Sequence, residues 1–361
     1  MNITQESTGN LTATVKIELV KEDYQEKVNT VLKDYQRKAS MPGFRPGKVP
    51  MGMVKKMYGK AVLAEEINTI ISDNLNNYLT DNKIKTIGHP IPNEDRQQMI
   101  DFDKQDTFDF FFDIGLQPEV EVEISDKVKM DYFKIRVDDK SVNKYLDDLR
   151  MRNGKPIEKK EGEEGDPEIE PAELNEDFYA AVFPGVPIKD EKEFREKLAE
   201  QLVISFGQES DRLFMRQTAD KLIDSSGIKL PDEFMKRWLA ETGEAQINPE
   251  DIDEHYDEYA RALKWQLIES KIVSDHNIQV SPDDVREQIM SYFRMPGDMD
   301  EDTRKRLNDI ADNIMQNQEE VKRIYDQLLD IRMRDLLKST IKLKDKEVSY
   351  DEFIKLASET K

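Results

Sequence analysis

The chain has 361 residues, with 54 lysines and arginines against 76 aspartates and glutamates, which gives a formal net charge of −22 at pH 7. This length predicts two or three domains, and the negative charge argues against free DNA as a partner. The sequence has no cysteine, no apolar run long enough to span a membrane and no pattern of a secretory leader. We therefore expect a cytoplasmic protein without disulfides, thiolate metal sites or a membrane partner.

Residues 1–117 carry the mixed pattern of an α+β domain. Apolar and polar residues alternate over 11–19, which is typical of a half-buried strand, and the spacing becomes helical from Glu22. A loop rich in proline and glycine, residues 41–50, separates this helix from two further helical segments. A short strand near residues 85–87 follows. The last strand of the domain should present one apolar face, formed by Phe108, Phe110, Phe112 and Ile114.

Residues 118–170 are predicted to be an extended connector. A short strand over 129–137 and a helix over 141–152 are expected within it. The remainder is charged and rich in glycine and proline, which is typical of a solvated linker.

Residues 171–361 are predicted to form an all-α domain with long helices, because apolar residues recur every three or four positions. Asp190 and Ser349 stand directly before such stretches, where their side chains can cap a helix. The expected helices cover residues 191–225, 231–243, 249–276, 282–293, 302–316 and 319–339, and a short one follows Ser349.

The sequence offers no constellation for catalysis, metal binding or a cofactor. Its three histidines, His89, His255 and His276, lie in separate segments. No phosphate-binding loop, nucleophile elbow or dinucleotide fingerprint is present. Asp251 and His255 would share a helix face, but a metal site needs more ligands, so a solvated acidic face explains them better. We therefore expect no enzyme active site, no metal and no cofactor.

The loop at 41–50 lies in a strongly basic window, residues 33–60. This window contains eight lysines and arginines and one acidic residue, so its net charge is +7 and the rest of the chain carries −29. Prolines and glycines stiffen the loop, and Phe44 precedes Arg45 within its turn. This aromatic ring either enters a pocket of a partner, with Arg45 and Lys48 on phosphates or acidic groups, or folds back onto its own core.

The segment 43–50, Gly-Phe-Arg-Pro-Gly-Lys-Val-Pro, resembles the signature loop of trigger factors, the ribosome-associated chaperones of bacteria. The strand and helix before it, and the helix and aromatic strand after it, also match that family. The resemblance implies that the loop docks beside the nascent-chain exit of the large ribosomal subunit. The ribosome-binding residues that it implies are Gly43, Phe44, Arg45, Pro46, Gly47 and Lys48. Pro46 stands where the family often has lysine, and the loss of this cation lowers the expected affinity for the ribosome.

Residues 172–183 and 191–195 are similar to the start of the family's helical chaperone domain. The resemblance implies arm-like helices that bind unfolded or nascent polypeptides without ATP. Methionine adapts to varied apolar partners, so methionines near a Pro-Gly break are candidates for this contact, and ordinary core packing is the alternative for each of them. The client-binding candidates are Met290, Phe293, Met295, Met299 and Met315.

Trigger factors usually carry an FKBP-type prolyl isomerase domain between the connector and the helical domain. Only about 18 residues, Asn153–Glu170, occupy that position here, which is too few for a proline pocket. We therefore expect no isomerase activity, and a chaperone that is tethered to the ribosome through its loop. The alternative is a ribosome-independent holdase or assembly chaperone with the same helical cradle. Off the ribosome, such a protein would form a homodimer in which the loop is buried.

Overall fold

The computed structural model describes residues 1–40, 42, 44–45, 47–97, 100, 105–156, 169–243, 247–293 and 301–359. The chain divides into two compact units. The first consists of Met1–Val120 and Gly227–Gln266, and the second of Glu121–Ser226 and Leu267–Lys361. This grouping differs from the sequential division expected above, because a segment of the predicted helical domain joins the first unit and most of the predicted connector joins the second.

The first unit contains a four-stranded antiparallel sheet and helices from two parts of the chain. The strands are β1 (Asn2–Gly9), β2 (Thr12–Leu19), β3 (Thr86–Pro92) and β4 (Phe108–Leu116), in the spatial order β1-β2-β4-β3. The helices are α1 (Lys21–Lys38), α2 (Met51–Asp81), α6 (Asp232–Thr242) and the first part of α7 (Ile252–Asp275), which a 3-10 turn at Pro249–Asp251 precedes.

The core of the first unit follows from the spacing of apolar residues. β2 and β4 are the inner strands, and Val15 pairs with Phe112 in their register. Apolar residues on α1 recur at every fourth position and are buried against α2 and the sheet. The aromatic face predicted for β4 is confirmed, since Phe108, Phe110 and Ile114 are buried and Phe112 packs against them.

Helix α6 lies against β3 and β4, where two glycines make room for it. Gly88 has a φ of 70°, and a Cβ there would lie 2.7 Å from the ring of Trp238. A Cβ on Gly115 would lie 2.6 Å from the ring of Phe234. The bare backbone of the two strands therefore accommodates two aromatic side chains of one helix.

A polar contact holds the same helix to the sheet. The Arg237 guanidinium donates to one carboxylate oxygen of Asp113 at 2.6 Å, and the buried Thr14 hydroxyl donates to the other at 2.6 Å. The Asn93 side-chain amide donates to both oxygens. Burial on its own would raise the pKa of Asp113, but these hydrogen bonds outweigh burial and hold the pKa below its ordinary value. Asp113 is therefore a charged anchor for α6.

The second unit is mostly helical and contains a parallel strand pair. The strands β5 (Lys129–Ile135) and β8 (Lys342–Val348) pair in parallel, although they come from opposite ends of the unit's sequence. Two short strands, β6 (Lys155–Pro156) and β7 (Ile169–Glu170), pair antiparallel. The helices are α3 (Asp139–Arg152), α4 (Glu176–Val182), α5 (Glu191–Ser226), the end of α7, α8 (Pro282–Tyr292), α9 (Glu301–Met315), α10 (Gln318–Thr340) and α11 (Tyr350–Glu359).

Two apolar cores stabilise the second unit. In the larger one, α5 contributes residues at intervals of four, and α3, α4, α11 and β5 pack around them. The α5 residues in this core include Phe194, Leu198, Leu202 and Phe206. The smaller core joins α8, α9 and α10 through Val285, Ile289, Ala311 and Ile324.

A charged cluster links α5 to α10 and β5. Asp211 accepts hydrogen bonds from the Tyr132 hydroxyl at 2.6 Å and from the Lys338 ammonium at 2.7 Å. Arg334 lies 3.4 Å from the second carboxylate oxygen. Burial on its own would raise the pKa of Asp211, but the bonds from Lys338 and Tyr132 lower it below its ordinary value.

Most of the expected helices are present, and both helix caps are confirmed. The Glu193 amide donates to the Asp190 carboxylate at 2.8 Å, and Ser349 and Glu352 form a reciprocal capping box. Residues 342–348 are an exception to the all-α prediction, because they form β8. Residues 2–9 form β1, a strand that the apolar pattern of the sequence does not indicate.

Candidate functional site

The loop between α1 and α2 is fixed at its base by three contacts. The Val49 side chain is fully buried in the core of the first unit. The Gln36 side-chain amide donates to the Val49 carbonyl oxygen at 2.7 Å, and the Gly47 amide donates to the Ala39 carbonyl oxygen at 3.1 Å. The two helices therefore determine where the tip of the loop lies.

Gly47 is required by the local backbone. Its φ is 75°, and a Cβ there would lie 3.0 Å from the Arg37 carbonyl oxygen of α1. Beside it, the Lys48 amide donates to the Arg45 carbonyl oxygen at 2.9 Å. A residue with a Cβ would be strained and would press against the end of α1 at this position.

The tip of the loop presents an aromatic ring and two cations. The Phe44 side chain is 38% exposed, so its ring remains accessible to a partner. Arg45 and Lys48 are exposed, and neither forms an ion pair with a carboxylate in the described part of the chain. Gly43 and Pro46 lie outside the described residues. The Phe44 ring is therefore not enclosed in the core of the first unit.

The two helices beside the loop extend this surface. The exposed ring of Tyr35 on α1 contacts that of Tyr58 on α2, with centroids 5.3 Å apart. Met53 and Met57 are also exposed on α2. The spacing of four residues between Met53 and Met57, beside the basic loop, is the sequence signal that would have found these two methionines.

Where the structure describes side chains, no group of three histidines, aspartates or glutamates lies close enough to hold a metal ion. Among the same residues, no helix combines the length and the hydropathy needed to cross a membrane.

The client-binding candidates fall into three groups. Met290 and Met315 are half-buried and pack against the core of α8, α9 and α10. Phe293 is exposed just after α8. Met295 and Met299 lie outside the described residues. Sequence analysis misses the more exposed apolar pair of the second unit, Val203 and Ile204 on α5, which are 60% and 58% exposed.

Two protein-family models match most of the chain. One, described as bacterial trigger factor protein, matches residues 1–149, and the other, described as probable trigger factor C-terminal domain, matches residues 210–357. The first match contains the whole basic loop and the sheet. The second contains the C-terminal part of α5 and the helices up to α11.

Curated proteins named trigger factor are similar to parts of the chain. The protein of Caulobacter vibrioides is 28% identical over 218 residues, which is 56% of this chain and 43% of that protein. The protein of Bartonella tribocorum is 32% identical over 130 residues, 36% of this chain and 27% of that protein. The chain thus aligns with less than half the length of these relatives.

A solved structure described as "Promiscuous Substrate Recognition in Folding and Assembly Activities of the Trigger Factor Chaperone" has the same fold. The alignment has a TM-score of 0.52 at 15% identity and covers 93% of this chain and 99% of the other. At this identity the likeness concerns the fold alone.

The fold and the two family matches define a class of bacterial proteins in which a mixed α/β region with a basic loop precedes a mostly helical region. The chain belongs to the trigger factor family.

Proposed function

We propose that the protein is an ATP-independent chaperone that docks at the nascent-chain exit of the large ribosomal subunit and shields unfolded polypeptides, in the cytoplasm. The observation that carries this proposal is the loop itself. Its base is fixed by Val49 and Gln36, and its tip exposes Phe44, Arg45 and Lys48. A loop that is fixed at its base loses less conformational entropy on binding than a free one, which favours its use as a docking element.

Charge segregation supports the proposed orientation of the protein. The window 33–60 has a net charge of +7, whereas the remainder of the chain carries −29. The basic tip would be attracted to ribosomal RNA and the acidic remainder repelled from it. With Pro46 in place of the lysine that is frequent in the family, we expect this attraction to be weaker than in relatives with the extra cation.

Exposed apolar side chains in the second unit support client binding. Val203 and Ile204 are adjacent on α5 and largely exposed, and Phe293 is exposed after α8. Such small patches would form weak contacts that exchange quickly, as binding and release without ATP require. The candidates from the sequence, Met290, Met295, Met299 and Met315, belong to the same proposal.

We also propose that this chain has no prolyl isomerase activity. β6 and β7 pair directly, Pro156 with Ile169, at the point where the family usually carries the isomerase domain. Only twelve residues, 157–168, lie between these two strands. A chain that short cannot form a core around a proline pocket.

Cosedimentation with salt-washed ribosomes tests the proposed docking. The native chain should pellet with ribosomes, less so at higher salt, and Phe44→Ala/Arg45→Ala should stay in the supernatant. Tyr325→Ala/Lys322→Ala is a matched control, since it also removes one exposed aromatic ring and one exposed cation. The control should pellet like the native chain.

The same experiment separates the alternative function. If the native chain and the loop variant behave alike, the loop is not the tether. A ribosome-independent chaperone is then the function that the data favour. Sedimentation equilibrium of the free protein tests whether it is a homodimer.

A further inference from the structure

The first turns of α2 carry a surface that lies outside the signature loop. Met53 is 40% exposed and Met57 is 52% exposed, and Lys55, Lys56 and Lys60 are exposed around them. Because a helix has about 3.6 residues per turn, positions 53, 56, 57 and 60 share one side of α2, whereas position 55 lies about 100° further round the helix, beyond Gly52 and Gly59. We call these five residues the α2 surface.

Packing within the protein does not explain why the two methionines of the α2 surface are exposed. The core contacts of these turns are made from the other side of the helix, by Val54, Tyr58 and Val62. Amphipathic helices place polar residues on the side away from the core, so two exposed methionines there add no stability from burial. Their exposure beside the basic loop suits a contact with a partner.

The helix backbone is also open at this surface. Nothing lies within 4 Å of a Cβ built on Gly52, and a Cβ on Gly59 would meet only the Lys55 side chain, at 3.9 Å. Packing therefore requires neither glycine, although Gly59, in the helix interior, lowers the stability of α2 by about 1 kcal/mol relative to alanine. A partner can approach the backbone between Lys55 and Lys56 closely.

The charge of these turns identifies the chemistry of the partner. Residues 51–64 contain three lysines and no acidic residue, in a chain whose net charge is −22. Three ammonium groups within three turns match the repeated phosphates of a nucleic acid, and methionine side chains can cover sugars and base edges. A protein partner would need a dense acidic patch at the same place.

We propose that the α2 surface binds the phosphate backbone of ribosomal RNA beside the contact made by the loop. This inference rests on the proposed ribosome docking and adds a second contact to it. The loop contributes one aromatic ring and two cations, and the α2 surface contributes three lysines and two methionines. The affinity for the ribosome should then fall more steeply with salt concentration than it would if the loop were the only contact.

The test compares two variants with the same change in charge. Lys55→Gln/Lys56→Gln/Lys60→Gln neutralises the α2 surface and keeps good helix formers. Lys229→Gln/Lys342→Gln/Lys344→Gln neutralises three exposed lysines elsewhere in the chain. Ribosome affinity is measured for each full-length variant, the native chain and Phe44→Ala/Arg45→Ala over a series of salt concentrations.

The α2 variant should bind ribosomes at least tenfold more weakly at low salt, and its slope of log affinity against log salt should fall by about 1 per lysine. The control should match the native chain. If the α2 variant binds like the native chain while the loop variant fails, the α2 contact is wrong and the proposed docking stands. If the native chain does not bind ribosomes, both are wrong.

A photoreactive residue at position 57 identifies the molecule that is contacted. We expect a crosslink to ribosomal RNA that ribonuclease removes. A crosslink to a ribosomal protein would overturn the assignment to RNA, and so would the absence of a crosslink from ribosome-bound protein.

Discussion

Two glycines with positive φ give the first unit much of its local geometry. Gly47 lets the loop turn beside α1, and Gly88 lets β3 pass under the ring of Trp238. In both cases a side chain would meet an atom of a neighbouring element, so the sequence at these positions is constrained by contact as well as by backbone conformation.

Gly88→Ala is expected to destabilise the first unit more than Gly243→Ala does. Both glycines have positive φ, 70° and 63°, so alanine adds strain of about 1–2 kcal/mol at either position. Nothing lies within 4 Å of the new Cβ at Gly243, whereas at Gly88 it would overlap the Trp238 ring. This overlap should cost a further 1–3 kcal/mol or so.

Urea unfolding followed by Trp238 fluorescence, in a Trp265→Phe background, measures both variants. A red shift of the native emission of Gly88→Ala would show that the ring has moved toward water. Equal losses of stability in the two variants would contradict the contact between Gly88 and Trp238.

Single residues differ in how well the sequence predicts their structural role. The caps at Asp190 and Ser349 and the turn at Gly47 follow from patterns of a few neighbouring residues, so they are predictable. The role of Gly88 is not, because Trp238 is 150 positions away and only the folded chain brings them together.

Among the helices and strands, the predictable ones have strong apolar periodicity. α5 is expected over residues 191–225 and is observed over Glu191–Ser226. β1 and β8 are missed because their sequences are mainly polar, and most of their residues are exposed. Their extended form depends on pairing with β2 and β5, which a local pattern does not contain.

Helix α11 is expected to depend on one side chain for its attachment to the second unit. Phe353 is 3% exposed in the larger core, whereas its neighbour Ile354 is 49% exposed. Phe353→Ala should lower the free energy of unfolding of this unit by about 3–5 kcal/mol, and Ile354→Ala should change it by about 0.5 kcal/mol or less.

Hydrogen exchange with mass spectrometry locates the effect. Phe353→Ala should increase exchange in α11 and in the β5–β8 pair, and leave β2 and β4 of the first unit protected. Similar exchange in the two variants would mean that α11 is held by other contacts.

For the whole chain, the loop is predictable and the grouping of segments is not. The loop is a continuous pattern of eight residues, and its charge is countable from the sequence. The placement of residues 227–266 in the first unit depends on the contacts of Phe234, Arg237 and Trp238 with two strands more than a hundred residues earlier. Apolar periodicity identifies α6 as a helix but does not say which surface it covers.

The whole protein should suppress aggregation of unfolded polypeptides without accelerating proline isomerisation. Uncatalysed isomerisation takes tens of seconds, so refolding of a protein limited by this step gives a direct assay. The rate constant should be the same with and without an equimolar amount of the chain, while aggregation of a diluted, denatured client decreases without ATP. Any concentration-dependent acceleration would contradict the absence of an isomerase site.

The aggregation assay also tests the apolar pair on α5. Val203→Ser/Ile204→Ser should reduce protection of the client severalfold, because it removes the two most exposed large apolar side chains described in the chain. Val186→Ser/Ile354→Ser removes one exposed valine and one exposed isoleucine that are not adjacent, and it should protect nearly as well as the native chain. Equal losses in the two variants would mean that protection follows total apolar exposure, and no loss in either would place client binding elsewhere on the protein.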